Sequence, residues 1–532
     1  MVGVFCNIDF GVFVMNRREF VKGAAGGVGI AGLGFGGRLF GGAGKVRRPN
    51  IVYVFADQLR HDVFGHRGDE KAITPNFDRL ARESVSFDNA VSCMPVCAAY
   101  RASLFTGKYP TSHGMIINES CMNPNHETIG YALHGAGYRM GYLGKWHLMD
   151  DKGAAVPKGP ARLGFQHCDL WRTYNFNHYN YHGYYWEEGE NGESKRTALK
   201  GCQTPQWTDM AVDFVEESAK RDEPFALFLS YSPPHDPWSK RNVPKKYYDM
   251  YKDVKFPHPE NFSPDPDQYA DRNKDPKAWE KHIVPGLEEW RRCYYAMVSM
   301  MDDELGKLRD AIEKAGVDED TIFVYTSDHG EMFGAQGRMY KLTFYEEAAR
   351  VPFYVRWPGR TKANTSTDVC LNTPDIAPTL LSMAGMEVPG QMEGVDLSGA
   401  ALGRKWADPE YAFLQGVGHT YLWKDGAEWR ALRGKRYTYG KYLKDGKEHL
   451  YDNIKDPFQK VNLAGEESAS GVLERMRKAM SEKMEELNDE FLPFTDYRER
   501  FMAKGDSYSI VAGAKGRFEG PYERIGSTRA KR

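Results

Sequence analysis

Asn50-Ile51-Val52-Tyr53-Val54-Phe55 runs directly into Ala56-Asp57-Gln58. An apolar, β-branched and aromatic run of this length suits a buried strand, and the polar residues behind it suit the loop that the strand feeds. The same design returns twice. Pro224-Phe225-Ala226-Leu227-Phe228-Leu229-Ser230 leads into Pro233-Pro234-His235, and Thr321-Ile322-Phe323-Val324-Tyr325-Thr326 leads into Ser327-Asp328-His329-Gly330. In open α/β sheets ligands gather outside the carboxyl ends of strands, so three such ends predict one convergent site. Helix-like patterns at Pro75 to Ser84 and Tyr294 to Ala315 supply the alternation of an α/β domain.

The chain has 532 residues, room for one large domain and a smaller companion. Hydrophobic residues make up 41% and charged residues 27%, which excludes collagen-like, low-complexity and wholly disordered chains. Lysine and arginine number 71 against 73 aspartate and glutamate, a net charge of −2. Without a basic surplus there is no electrostatic footprint for nucleic acid, so any anionic substrate has to be met by a local cluster of charge. The eight cysteines are too sparse for a disulfide scaffold, and no pair has CxxC metal spacing.

Beyond about residue 395 the pattern changes to short strand-like pieces: Tyr411 to Leu414, Trp429 to Leu432, Tyr437 to Leu443 and His449 to Tyr451, then a charged helix from about Ser468 to Asn488. These predict a small antiparallel sheet with a covering helix, and a polar, irregular tail after about Arg500. At the other end, Asn16-Arg17-Arg18-Glu19-Phe20-Val21-Lys22 precedes a glycine- and alanine-rich apolar stretch, Gly23 to Gly42. That segment resembles a twin-arginine export signal and implies the translocation machinery as a partner and a periplasmic or cell-surface location.

The chemistry centres on Pro95-Val96-Cys97-Ala98-Ala99-Tyr100-Arg101-Ala102-Ser103-Leu104-Phe105-Thr106-Gly107. With a helix from Ala98 onward, Cys97 sits at its N-terminus and Arg101 one turn later on the same face. The helix dipole and the guanidinium then both favour an anion at Cys97. This segment resembles the signature of the sulfatase family, in which such a Cys is oxidised to formylglycine by a dedicated maturation enzyme. The family usually has Pro and often Ser where this chain has Ala99 and Tyr100. Further blocks resemble the family in order: Asn50 to Gln58, Thr74 to Leu80, Gly144-Lys145-Trp146-His147, Pro233-Pro234-His235, Ser327 to Gly330 and Lys341 to Pro352, with Leu450-Tyr451-Asp452 in the C-terminal part.

The resemblance implies an alkaline-phosphatase-like α/β fold: a central, mostly parallel sheet flanked by helices, plus a small C-terminal antiparallel-sheet subdomain. Residues 1–47 then read as export signal and linker, 48–395 as the catalytic domain, 396–500 as the subdomain and 501–532 as the tail. Asp57, Gln58, Asp328 and His329, with the modified Cys97, are the implied ligands of one divalent metal. Calcium is the first choice and magnesium or manganese the alternatives. Lys145 and Lys341 are the implied sulfate clamps. Formylglycine from Cys97 would attack sulfur as a hydrate, with Asp328 as base and Arg101 steadying it. His235 would protonate the leaving alcohol, and His147 would take the proton that lets sulfate depart. The aromatic, amide-rich stretch Trp171 to Trp186 suits the rim of a sugar site, or a loop packed on its own domain. A sulfated carbohydrate is the expected substrate. Two alternatives are a phosphonate monoester hydrolase or phosphodiesterase of the same superfamily and a catalytically silent glycan-binding homologue. Phosphomonoester hydrolysis fits least, since Cys stands in place of Ser or Thr.

Overall fold

The computed structural model describes residues 48–149, 162–189, 194–270, 275–420, 425–504 and 507–509. The twin-arginine segment lies outside the described residues, as does the tail beyond 509. Ten strands form one sheet, in the order Thr365–Thr367, Val85–Phe87, Phe353–Arg356, Thr321–Ser327, Asn50–Asp57, Phe225–Pro234, Arg139–Lys145, Leu170–Tyr174, Tyr184–Glu188 and Ser194–Ala198. The five strands from Thr321–Ser327 to Leu170–Tyr174 are parallel to their neighbours in that run.

Asn50–Asp57 sits at the middle of the sheet and is buried along its whole length. That position explains its continuous apolar run: helices cover both faces, so alternation with polar residues has no place. Val52 and Val54 join one core with Phe77, Leu80, Trp207, Phe214 and Tyr294 from the helices Pro75–Glu83, Gln203–Ser218 and Leu287–Lys314. Ile51, Tyr53 and Phe55 point the other way, into a core with Tyr100, Leu104, Ile129, Leu133 and Leu380 from Cys97–Thr106, Ile129–Gly135 and Ile376–Met383. The long helix begins at Leu287 rather than at Tyr294. The tail expected to be irregular after Arg500 instead continues the helix Phe494–Lys504, and Ser507–Ser509 pairs antiparallel with Ser120–Met122.

The C-terminal part forms a separate four-stranded antiparallel sheet, Tyr411–Gly416, Trp429–Gly434, Tyr437–Tyr442 and Glu448–Asp452, with the helix Ser470–Glu486 packed on it. Two buried ion pairs tie it down. Arg430 meets Asp489 through two bonds, Nε to Oδ2 at 2.5 Å and Nη2 to Oδ1 at 2.7 Å, with both side chains fully buried. Truncation of Asp489 to alanine leaves an uncompensated guanidinium inside the protein. Asp489→Ala is therefore expected to lower stability by about 3–5 kcal/mol, read as a fall in the denaturant midpoint.

Arg433 links this sheet to the short helix Glu346–Ala349 by a bidentate pair with Glu346, both contacts 3.0 Å. Burial opposes ionisation of Glu346, but Arg433 and Arg350 outweigh it and bring the carboxyl from 4.5 down to about 2. The unfolded chain binds the proton first, so this contribution is fully present above pH 4.5 and is lost as pH falls toward 2. The stability difference between wild type and Glu346→Gln is expected to narrow over that window, measured as urea midpoints against pH.

Candidate active site

Three strand ends meet where the sequence places them. Ala56 pairs with Ser327, so Asp57 and Asp328 emerge side by side, and the Asp328 amide donates to the Ala56 carbonyl at 3.1 Å. A register irregularity between Phe55 and Asp57 sets Asp57 beside Pro234, bringing the third end alongside. On the far side of that strand Gly144 pairs with Ser230. Gly144 has φ +99°, and a Cβ there would lie 2.0 Å from the Ser230 carbonyl oxygen. Only glycine lets the chain turn this close to its neighbour and deliver Lys145 and His147.

The helix Cys97–Thr106 starts at Cys97 itself, with Arg101 one turn on, and ends at Gly107 in the left-handed conformation. The Cys97 sulfur is 3.0 Å from Lys341 Nζ, 3.3 Å from His329 Nε2 and 3.5 Å from Asp57 Oδ1. Burial opposes a thiolate, yet Lys145, Lys341 and His329 together hold this thiol well below the ordinary cysteine range. Cys93, four residues earlier and equally buried but without the two lysines beside it, is pushed up to about 12. The site thus stabilises negative charge at position 97 specifically.

Lys145 Nζ lies 2.5 Å from Asp57 Oδ2. Arg101 donates through Nη1 to the Lys145 carbonyl and to Ser230 Oγ, both at 2.7 Å, while Nη2 reaches Asp57 and Asp328, each at 3.4 Å. Arg101 therefore braces the two carboxylates. Burial and Cys97 push Asp57 upward, but Lys145, His235 and Lys341 prevail and bring it from 3.8 to about 2. Asp328 moves the opposite way, raised by burial and by the Asp57 charge.

One donor atom each from Asp57, Cys97, Asp328 and His329 lies within 4.8 Å of the others, all four residues buried. His329 Nδ1 donates to the Gly330 carbonyl at 3.0 Å, which fixes the tautomer and leaves the Nε2 lone pair facing the carboxylates. Two hard carboxylates in mutual repulsion and a correctly oriented imidazole fit a divalent cation, which would relieve the charge that raises Asp328. Gln58 adjoins this group. Its backbone N–H donates to Asp328 Oδ1 at 2.9 Å, and its side-chain oxygen accepts from Lys341 Nζ at 3.0 Å.

Above the cluster a cavity of about 460 Å³ opens, with Gln58, Cys97, His147, His235 and Lys341 in its wall. His235 Nε2 lies 3.1 Å from Lys341 Nζ, and its Nδ1 donates to the Asp236 carbonyl at 2.9 Å. Burial and Lys341 oppose a proton on His235, but the Asp236 and Asp57 carboxylates outweigh them and raise it from 6.5 to about 9. His147 is shifted in the opposite sense, to about 3, by burial and Lys145. The surroundings thus favour a proton on one imidazole and hold the other neutral.

The aromatic stretch supplies both rim and scaffold. Leu170–Tyr174 and Tyr184–Glu188 are strands, a regularity hidden in the sequence by aromatic residues on both faces, and Asn175, Phe176, Asn177, His178 and Tyr179 between them line the cavity. The sequence did not single out Asn118, Glu119, Asp236, Tyr340, His419 and Thr420, which also line it. Nor did it reveal that His178 stacks flat on His235, ring centroids 3.6 Å apart.

A family model described as Sulfatase matches residues 49–386, and a second, described as N-sulphoglucosamine sulphohydrolase, C-terminal, matches residues 334–486. The chain is 35% identical over 452 residues to an ulvan-active sulfatase of Formosa agariphila, covering 84% of this chain and 82% of that protein. It is 30% identical over 487 residues to an arylsulfatase of Clostridium perfringens, covering 82% of this chain and 95% of that one. Among solved structures, the yidJ protein of Bacteroides fragilis aligns with a TM-score of 0.73 at 28% identity, over 86% of this chain and 99% of that one.

Proposed function

The chain belongs to the sulfatase family, and on that premise we propose that it removes sulfate from a sulfated polysaccharide using formylglycine made from Cys97 and one divalent cation. The observation that carries the reading is the Cys97 sulfur itself, set among Lys341, His329 and Asp57 at the floor of a cavity. The likeness to an ulvan-active sulfatase supports a polysaccharide substrate. Asp57, Gln58, Asp328 and His329 would hold the cation, calcium before magnesium or manganese, and the bound ion would polarise the sulfate oxygens and offset their charge. As formylglycine, position 97 supplies a hydrated aldehyde in the place the sulfur occupies here.

The remaining groups divide the work. Lys341, already facing the cavity, meets the anionic ester, while Lys145 sits on Asp57 and keeps that carboxylate ionised. His235 donates its proton to the leaving sugar oxygen. His147, neutral beside position 97, removes the proton whose loss lets sulfate go and restores the aldehyde. One hydroxyl of the hydrate attacks sulfur and gives its proton to Asp328, whose carboxylate Arg101 braces.

Export by the twin-arginine route to the periplasm or cell surface, and maturation by a formylglycine-generating enzyme, complete the proposal. Replacement of Arg17 and Arg18 by lysine tests the first through the distribution of protein between cell fractions. Inorganic sulfate released from sulfated oligosaccharides tests the reaction, with a phosphodiester on the same aryl leaving group as comparison; dominant phosphodiester cleavage overturns the sulfatase reading. His235→Ala is expected to slow sugar sulfate hydrolysis by about 10²–10⁴-fold while an aryl sulfate, whose oxygen leaves without help, slows far less. Equal loss on both would remove His235 from the role of acid.

A further inference from the structure

Ten non-glycine residues among those described have positive φ; besides His147 (+54°) in the cavity wall, four of them, Gln58 (+67°), Phe333 (+43°), Tyr340 (+67°) and Leu342 (+60°), lie in or beside the site. Residues other than glycine avoid this region unless surrounding bonds hold them there. Three of the four bond to one side chain. Glu331, fully buried, accepts from the Phe333 amide at 3.0 Å and the Tyr340 amide at 2.8 Å through Oε1, and from Gln58 Nε2 at 2.6 Å through Oε2.

The partners also fix which way the Gln58 amide points. Lys341 Nζ has only hydrogens to offer, so the atom of Gln58 that meets it must be the oxygen; the NH₂ end then faces Glu331, which accepts. A single carboxylate therefore holds the Gln58 oxygen on Lys341, whose Nζ also meets the Cys97 sulfur of the cation-binding cluster, and pins Tyr340, the residue before Lys341. Neither element could keep its conformation from local preference alone.

We propose that Glu331 is the positioning residue of this site, a buried clamp that sets the Gln58 oxygen and the Lys341 turn in place before substrate arrives. The assignment rests on the cation-binding reading above. Glutamine at 331 is close to isosteric, but it has one oxygen for three donors and turns an NH₂ group against at least one of them.

The test is calcium titration of the metal-free protein by calorimetry. Glu331→Gln is expected to weaken calcium binding about 10–100-fold, the range found when partners behind metal ligands are removed. Glu347→Gln serves as the control: that acid is also buried beside the site, but its carboxylate bonds to Asn261. It should bind calcium as wild type does, which separates positioning from general loss of packing. In a Gln58→Ala background the Glu331→Gln effect on affinity should largely vanish, because the clamp acts through an amide that is no longer there.

Wild-type affinity in Glu331→Gln, or an undiminished effect in the Gln58→Ala background, overturns the proposal. Should Glu331→Gln not fold, Glu331→Asp decides. It keeps the charge but draws it back by one methylene, so affinity should fall in the same direction, and unchanged affinity again overturns the clamp. Failure of wild type to bind any divalent cation would instead sink the cation reading itself, a distinguishable result.

Discussion

Cys97→Ala is expected to abolish sulfate release, with kcat/KM down by at least about 10³-fold, while the protein stays folded. The side chain removed is small and lies where the charge cluster is most crowded, so its loss relieves as much as it disturbs. What disappears is the atom that every neighbouring group addresses: Lys341 at 3.0 Å, His329 at 3.3 Å and Asp57 at 3.5 Å. Cys97→Ser separates nucleophile from formylglycine. A serine hydroxyl can attack sulfur once but carries no second hydroxyl with which to expel sulfate, so it should give at most a single turnover. Sustained turnover by either variant would place the nucleophile elsewhere.

The second large effect is expected from Asp57→Asn. Asp57 touches more of the machinery than any other side chain here, meeting Lys145, Arg101, Cys97, His235 and His329 within 4.0 Å. Neutralising it leaves Arg101 and Lys145 fully buried with Asp328 as the remaining nearby carboxylate. Divalent cation affinity should fall by at least about 100-fold and kcat by about 10³-fold, and the metal-free protein should melt earlier because buried positive charge has lost its partner. Calorimetric titration and a thermal melt check the two halves separately. Unchanged cation affinity would remove Asp57 from the ligand set.

The central strands and the floor of the site were legible because burial on both faces writes a continuous apolar run, and because polar residues directly after such runs mark strand ends. Asp57, His235 and Asp328 are found in this way, and Cys97 with Arg101 by the helix phase that follows. The start of the long helix was not legible: Leu287 to Arg292 is largely charged and, Leu287 apart, only half-buried, so apolar periodicity appears only from Cys293 onward. Beyond the residues at strand ends and motifs, the cavity wall was legible only where composition was unusual, as in Trp171 to Trp186. Asn118 and His419 reach it from loops far apart in sequence that the fold brings together, and no local pattern announces such meetings. Glu331 was hidden for a related reason. Its role lies in the two backbone amides and one side-chain amide it holds, and left-handed φ at Gln58, Phe333 and Tyr340 leaves no trace in residue type.

Formylglycine at position 97 is the claim on which the rest depends, and the tryptic peptide Glu83 to Arg101 reads it directly in protein produced alongside a formylglycine-generating enzyme. The peptide contains both Cys93, a buried thiol beside Ser103, and Cys97. The account predicts an aldehyde at Cys97, trapped by a hydrazide, with Cys93 still alkylated as a thiol. Two intact thiols, in a host that matures a control sulfatase, would contradict it and leave a glycan-binding homologue that does not turn over.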